Sequence, residues 1–232
     1  MKPKNIIIAL AAVAVASATA GFVLANLGAA NATDSVAKAA VGGNAVSSLT
    51  FKAQSICGPV GKTACTVGSI GPGGGTIFFV DWHNEYLGFD YLETAPADWS
   101  ADRSSVDPLL AWCDNTIRLT QGNVNNWVNR AVGKGKSNTS TMLKVCASGA
   151  ANTVDAFNKS SRTAFHDWFL PSLGELMWMA NGTQGLAGLS STEYWSSSEY
   201  SNEGGWVESV SRGYQGSAGK ANLLAVRPIR AF

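Results

Sequence analysis

Asp167-Trp168-Phe169-Leu170-Pro171-Ser172-Leu173-Gly174-Glu175-Leu176 is the stretch on which the fold turns. Trp168 and Phe169 read as side chains entering the core, and Pro171, with no amide donor and a fixed φ, breaks the extended run. Ser172 suits a helix N-cap, and Glu175 three residues later completes the reciprocal pair of a capping box. Leu173, Leu176, Met177 and Ala180 then give one apolar stripe, and Asn181-Gly182 stops the helix. Glu175 also reads as a candidate acid, but the capping box accounts for it without chemistry.

Downstream the chain is strand-like. Tyr194-Trp195-Ser196, Gly205 to Val210 and Leu223 to Arg227 alternate or run apolar, with polar, glycine-rich turns expected over Tyr200 to Gly204 and Ser211 to Asn222. Upstream, Gly71-Pro72-Gly73-Gly74-Gly75 reads as a turn feeding a buried strand over Thr76 to Val80. The Gly-Lys-Ser/Thr ending that a phosphate-binding loop needs is missing there. Tyr91-Leu92-Glu93 forms a second strand. Val124, Trp127, Val128 and Ala131 are spaced as one helix face before Gly133, and Ser148 to Asn158 reads as a further helix with Ala151, Val154 and Phe157 inward. Helices followed by a meander of strands indicate an α+β domain with two or three helices and short antiparallel strands.

The N-terminal quarter is different. Lys2 and Lys4 precede an apolar run from Ile6 to about Leu27, and Ala30-Asn31-Ala32 offers a small-x-small cleavage site, so residues 1–32 read as a signal peptide or a retained membrane anchor. Residues 33–56, rich in Ala, Ser, Gly and Val, read as a flexible linker, and 57–232 as the folded domain. Either reading of the leader places the protein outside the cell, secreted or on the surface. The full chain carries 17 basic and 16 acidic residues; removing Lys2 and Lys4 leaves 15 against 16, a net charge of −1. So even a balance gives no general attraction to nucleic acid or to anionic lipid, and contact with a membrane is expected only through the N-terminal segment. The four cysteines, Cys57, Cys65, Cys113 and Cys146, are an even set in an exported chain and point to disulfides. Of the three possible connectivities, Cys57–Cys65 with Cys113–Cys146 pairs sequence neighbours. A zinc site is disfavoured by the absence of Cys-x-x-Cys and by a supply of two histidines.

The Asp167 to Leu176 stretch, Tyr194-Trp195-Ser196-Ser197-Ser198-Glu199, and the closing Val226-Arg227-Pro228-Ile229-Arg230-Ala231-Phe232 together resemble the Lcl C-terminal domain family, named after the end domain of a bacterial collagen-like surface adhesin. The resemblance runs from about Gly71 to Phe232. It implies a C-type-lectin-like fold, and such folds usually bind rather than catalyse. The collagen-like Gly-x-y repeat of that adhesin is absent, which removes the main sequence argument for a trimer. Its association with sulfated glycans carries over weakly to a near-neutral chain.

Catalytic patterns are missing. There is no Gly-x-Ser-x-Gly elbow, His83 reads as a loop residue and His166 as a strand-edge residue, and no cysteine follows Cys146, which excludes the formylglycine-generating branch of lectin-like folds. The Glu-Pro-Asn or Gln-Pro-Asp and Trp-Asn-Asp signatures of a calcium-dependent sugar site do not occur. Asn202-Glu203 beside Trp206 supplies no convincing cage, so no cofactor is expected, calcium being the one ion left open. What remains is a binding surface for a glycan or a surface protein. Its expected place is the C-terminal loops and strands: Glu199, Tyr200, Asn202, Glu203, Trp206, Glu208, Arg212, Tyr214, Gln215, Lys220 and Asn222 combine aromatic area with adaptable hydrogen bonding. Among the tryptophans, Trp127, Trp168 and Trp195 read as core, Trp206 as undecided, and Trp178, off its helix's stripe, as partly exposed. Arg227 and Arg230 read as partners of structural acids such as Glu175 or Glu199, with a sulfate or carboxylate as the alternative. An envelope or appendage subunit is the competing reading of the whole chain.

Overall fold

A computed structural model describes residues 57–58, 63–119, 129–182, 188–189 and 193–232. Residues 1–32 and 33–56, expected as leader and linker, and the expected helix face at Val124, Trp127 and Val128 lie outside the described residues. The rest is a mixed α+β domain. In chain order it runs β1 (Ile77–Val80), β2 (Tyr91–Thr94), β3 (Leu109–Leu110), α1 (Gly135–Val145), α2 (Ala150–Asn158), α3 (Leu173–Gly182), β4 (Glu193–Glu199), β5 (Gly204–Ser209), β6 (Tyr214–Gly219), β7 (Leu224–Ala225) and β8 (Ile229–Ala231). The strands form a three-stranded sheet, β1-β2-β8, and a five-stranded sheet, β3-β7-β4-β5-β6. All pairings are antiparallel except the short β4–β7 bridge.

The deciding stretch behaves as its chemistry dictates. The Glu175 amide donates to Ser172 Oγ at 3.3 Å and the Ser172 amide to Glu175 Oε2 at 2.7 Å, so the capping box is closed in both directions. Trp168 and Phe169 are buried, and Phe169 exchanges both backbone hydrogen bonds with Ile229, a single bridge rather than a strand. On α3 the inward stripe is Leu173, Leu176, Met179 and Ala180, with Met177 half-buried and Trp178 outward.

Alternation along β4 divides the interior. Trp195 packs with Met142 of α1, Val154 and Phe157 of α2, Trp112 and Trp168. Its neighbour Tyr194 faces Leu176 and Met179 of α3, with Phe78, Phe79 and Leu92 of the small sheet. The indoles that go inside carry their N–H to a partner: Trp112 donates to Ser196 O at 2.7 Å, Trp195 to Leu110 O at 2.8 Å and Trp99 to Asp107 Oδ1 at 2.9 Å. The disulfides are Cys57–Cys65 and Cys113–Cys146.

Two expectations are corrected and one helix was not anticipated. Ser211 to Asn222 is not one turn, because β6 occupies its centre in unbroken register with β5. As an edge strand with exposed, small residues it has no buried face to write an apolar alternation into the sequence. Helix α1 follows Gly133 unannounced, since its apolar residues lie mostly in its second half. The closing arginines do pair with structural acids, but with different ones: Arg227 Nε meets Asp107 Oδ1 at 2.7 Å, while Arg230 holds Asp167 through Nε and Nη2 at 2.9 and 3.1 Å and touches Glu93 at 3.5 Å.

Candidate functional site

The glycine run at Gly71 to Gly75 wraps around an internal anion. The Gly73 and Gly75 amides donate to the two Glu93 carboxylate oxygens at 3.0 and 2.9 Å, and a Cβ on Gly75 would collide with the Thr94 carbonyl. The loop's donors are therefore spent on the protein's own side chain, in keeping with a structural turn. Glu175 is spent likewise: besides the Ser172 amide it accepts from Gly133 at 2.8 Å and Gly135 at 3.4 Å, fixing the turn into α1 against the start of α3. Burial pushes its carboxyl pKa up and these amides pull it back only in part.

The sequence-derived candidates do not converge. Glu199 and Lys220 are buried and pair at 2.7 Å, with the Leu119 amide donating to Glu199 and the ammonium 4.8 Å from the centre of the Trp112 ring. Glu208 is buried as well. Glu199 and Glu208 face the interior because β4 and β5 are buried along both faces, and Lys220, just past β6, is drawn in by its pairing with Glu199. The exposed remainder splits along the β5–β6 hairpin. Asn202, Glu203 and Asn222 lie near its Gly204–Gly219 end and Arg212 and Tyr214 near its Ser209–Tyr214 end, roughly 17 Å apart at ordinary strand rise. Gln215 is exposed beside the second group. Asn202 and Glu203 share a shallow hollow with Arg118 and Ser201. Trp206 is half-buried, edge-on to Tyr200 at 5.0 Å, with the Arg130 guanidinium 4.7 Å over its ring. Tyr214 Oη donates to Glu193 at 2.6 Å.

A more coherent surface lies elsewhere. Between β1 and β2 the chain makes an excursion closed at its base by the Asp81 amide on Asp90 O, 2.8 Å. The Asp81 carboxylate sits inside the turn and accepts from Glu85 at 3.0 Å and Tyr86 at 2.8 Å. Burial works to raise its pKa, but the amides of Tyr86, Glu85 and His83 outweigh that and hold it below the usual carboxylate range. Asn84 and Gly88 take the left-handed conformation the tight path needs. This scaffold presents Trp82, 68% exposed, and Leu87, fully exposed. Tyr86 stacks on Phe89 at 5.6 Å. Phe79, edge-on to both Tyr86 (5.5 Å) and Trp178 (5.4 Å), joins the loop to α3, where Trp178 is 51% exposed. Burial, then the charges of Glu85 and Asp81, raise the Tyr86 phenol.

Two hollows meet there, sharing Glu85 and Tyr86. One, about 460 Å³, runs from Tyr86 and Phe89 to Val132, Lys134 and Lys136. The other, about 270 Å³, lies between Phe79, Trp82, Tyr86 and Trp178. Sequence reasoning anticipated the exposure of Trp178 but missed Trp82, Tyr86 and Phe89, whose stretch has neither period. Its one signal is a cluster of large apolar residues among turn-forming ones. As a chemical device the surface offers aromatic faces and a few charges on a pre-shaped loop. The described cluster of sulfur and carboxylate ligands, Cys113, Asp114 and Cys146, has its sulfurs joined in a disulfide and so is no metal cage. His83 is exposed in the loop turn and His166 is exposed with Nδ1 on Asn158 O. No family model matches the chain, and no curated protein matches it.

Proposed function

We propose that this protein is an exported, non-catalytic binding module, adhesin-like, of the Lcl C-terminal domain type with a C-type-lectin-like fold, and that it recognises a glycan or a surface protein. The observation that carries the reading is the exposed apolar surface of Trp82, Leu87 and Trp178 with half-buried Tyr86, built from α3 and a loop stiffened by an internal carboxylate. Contiguous exposed apolar area costs solubility and is generally kept where it is covered by something else. Aromatic faces beside scattered polar groups suit sugar rings and protein side chains alike. Of the two glutamates that reach the larger hollow, Glu175 already accepts three backbone amides and Glu85 is exposed with no histidine or cysteine among the lining residues to exchange a proton with, which favours binding over proton transfer.

The test is a glycan array probed with the exported chain, with calcium and then with chelator. Selective binding lost in Trp82→Ala is the expected result. Binding that survives Trp82→Ala and Trp178→Ala moves the site elsewhere, and silence on the array leaves a protein ligand. The assembly reading draws on one observation: β6, the outer strand of its sheet among the described residues, has no lysine, proline or bulge over its length to protect it from pairing. Concentration-dependent self-association in size-exclusion chromatography would favour that reading.

A further inference from the structure

The smaller hollow has a composition its neighbour lacks. Phe79, Trp82, Tyr86 and Trp178 wall it, Asp81 and Glu85 join them, and His83, exposed in the loop turn, completes the polar lining. Among the described residues no lysine or arginine lines it, whereas the adjoining cleft carries Lys134 and Lys136. Asp81 is held by two amides, and Glu85 makes no ion pair among the described residues. The faces of aromatic rings are electron-rich, and a cation within about 6 Å of them is attracted, most strongly when it is large, weakly hydrated and easily stripped of water. A strongly hydrated metal ion would lose its shell without enough oxygens to replace it. About 270 Å³ is small beside the usual pocket for a drug-sized ligand and suits a head group.

We propose that this hollow is a cage for a quaternary ammonium head group of the choline type. The inference rests on reading this surface as the binding face and names the chemistry of one subsite on it. Trp82 and Trp178 supply the outer walls, Phe79 and Tyr86 the inner ones, and Glu85 the counter-charge. The trimethylammonium group can come from a free choline-like solute or from a phosphocholine ester on a larger molecule, and in the second case the phosphate lies outside the cage.

The experiment titrates the full chain, kept in solution with a maltoside detergent that has no ammonium group, and follows tryptophan fluorescence and heat. The probes are choline, phosphocholine and 3,3-dimethylbutanol, the neutral isostere with carbon in place of nitrogen. Expected is saturable binding of choline, about tenfold or more weaker binding of the isostere, and a comparable loss in Trp82→Ala and in Trp178→Ala. Glu85→Gln should weaken choline several-fold while leaving the isostere unchanged. Both indoles are exposed, so these substitutions spare the core. Phosphocholine tighter than choline identifies an ester source, and the reverse order a free solute. Equal binding of choline and its isostere, unchanged binding in Trp82→Ala, or no saturation overturns the cage. A failed titration with a positive glycan array removes this subsite alone; a positive titration with a silent array keeps the cage and removes the glycan reading.

Discussion

Glu208 is a carboxyl with no exposed surface whose two oxygens have no hydrogen-bond partner among the described residues, unlike the other buried acids of this fold. Asp107 accepts from Arg227, Trp99 and Tyr194, and Glu199 holds Lys220 and the Leu119 amide. Donors surround those two carboxylates; Glu208 has only its cross-strand neighbour Gln215 beside it. Burial pushes its pKa up, and Gln215 offsets that only in part. The sign of the consequence follows. A carboxyl whose folded pKa lies above its unfolded value of about 4.3 holds its proton longer in the folded state. Its stabilisation is complete below the unfolded value and fades as pH rises through the folded one. Glu208→Gln keeps the shape and removes the ionisation. The variant should match the parent near about pH 4 and exceed it in stability near about pH 8. Urea midpoints across that range measure the difference, and a gap independent of pH would rule out ionisation of Glu208 as its source.

At the level of elements, two buried glutamates hold two glycine turns: Glu93 the run before β1, and Glu175 the turn into α1. Each amide in such a turn is an obligatory donor, and no water can replace a carboxylate that is fully buried. Glu93→Gln puts an NH₂ where one of the two glycine amides needs an acceptor. The expected loss is about 1–3 kcal/mol, the cost of one buried unmet donor, read as a lower midpoint in thermal unfolding; an unchanged midpoint would show that the loop does not depend on the second oxygen. The same devices explain what the sequence disclosed. Helix α3 was legible because its cap and stripe are local, within ten residues. Strand β1 was legible because its burial forces apolar content, and β2, β4 and β5 showed through short apolar cores, Tyr91-Leu92, Tyr194-Trp195 and Trp206-Val207, while the buried serines of β4 gave no such signal. Helix α1 was not, since what positions it is remote: Glu175 on Gly133 and Gly135, and the Thr139 hydroxyl accepting the Leu170 amide at 3.0 Å. The aromatic surface was hidden for the same reason. Trp82 and Trp178 are far apart in the chain and share one hollow with Phe79 and Tyr86, whereas the C-terminal candidates, close in sequence, are parted by the length of a hairpin.

Over the whole domain, stability is divided between clusters of unequal size, and the disulfides follow that division. Cys113–Cys146 lies inside the large cluster around Trp112, Trp195 and Phe157 and ties the chain after β3 to the end of α1. Cys57–Cys65 belongs to a small cluster with Ile77, flanked by Val80, Tyr91 and Phe232. The sequence separations are 33 and 8. In the chain-entropy picture the cross-link acts on the unfolded state, and the cost of closing a loop grows with the logarithm of its length. That gives about 4 kcal/mol for the longer loop and roughly 2.5 kcal/mol for the shorter. All four cysteines are buried, but those of the long bridge belong to the larger cluster, where truncation leaves a gap among more neighbours. The double substitution Cys113→Ala with Cys146→Ala should therefore lower the guanidinium midpoint more than Cys57→Ala with Cys65→Ala. The second pair should leave the Trp82–Trp178 surface competent, since the sheet edge that carries it is also held by the β1–β2 and β2–β8 ladders. If the two double variants lose equal stability, loop length and core position do not govern the contribution of these bridges. If the short-bridge variant alone loses binding, the small cluster is what sets the path of the loop from Asp81 to Asp90.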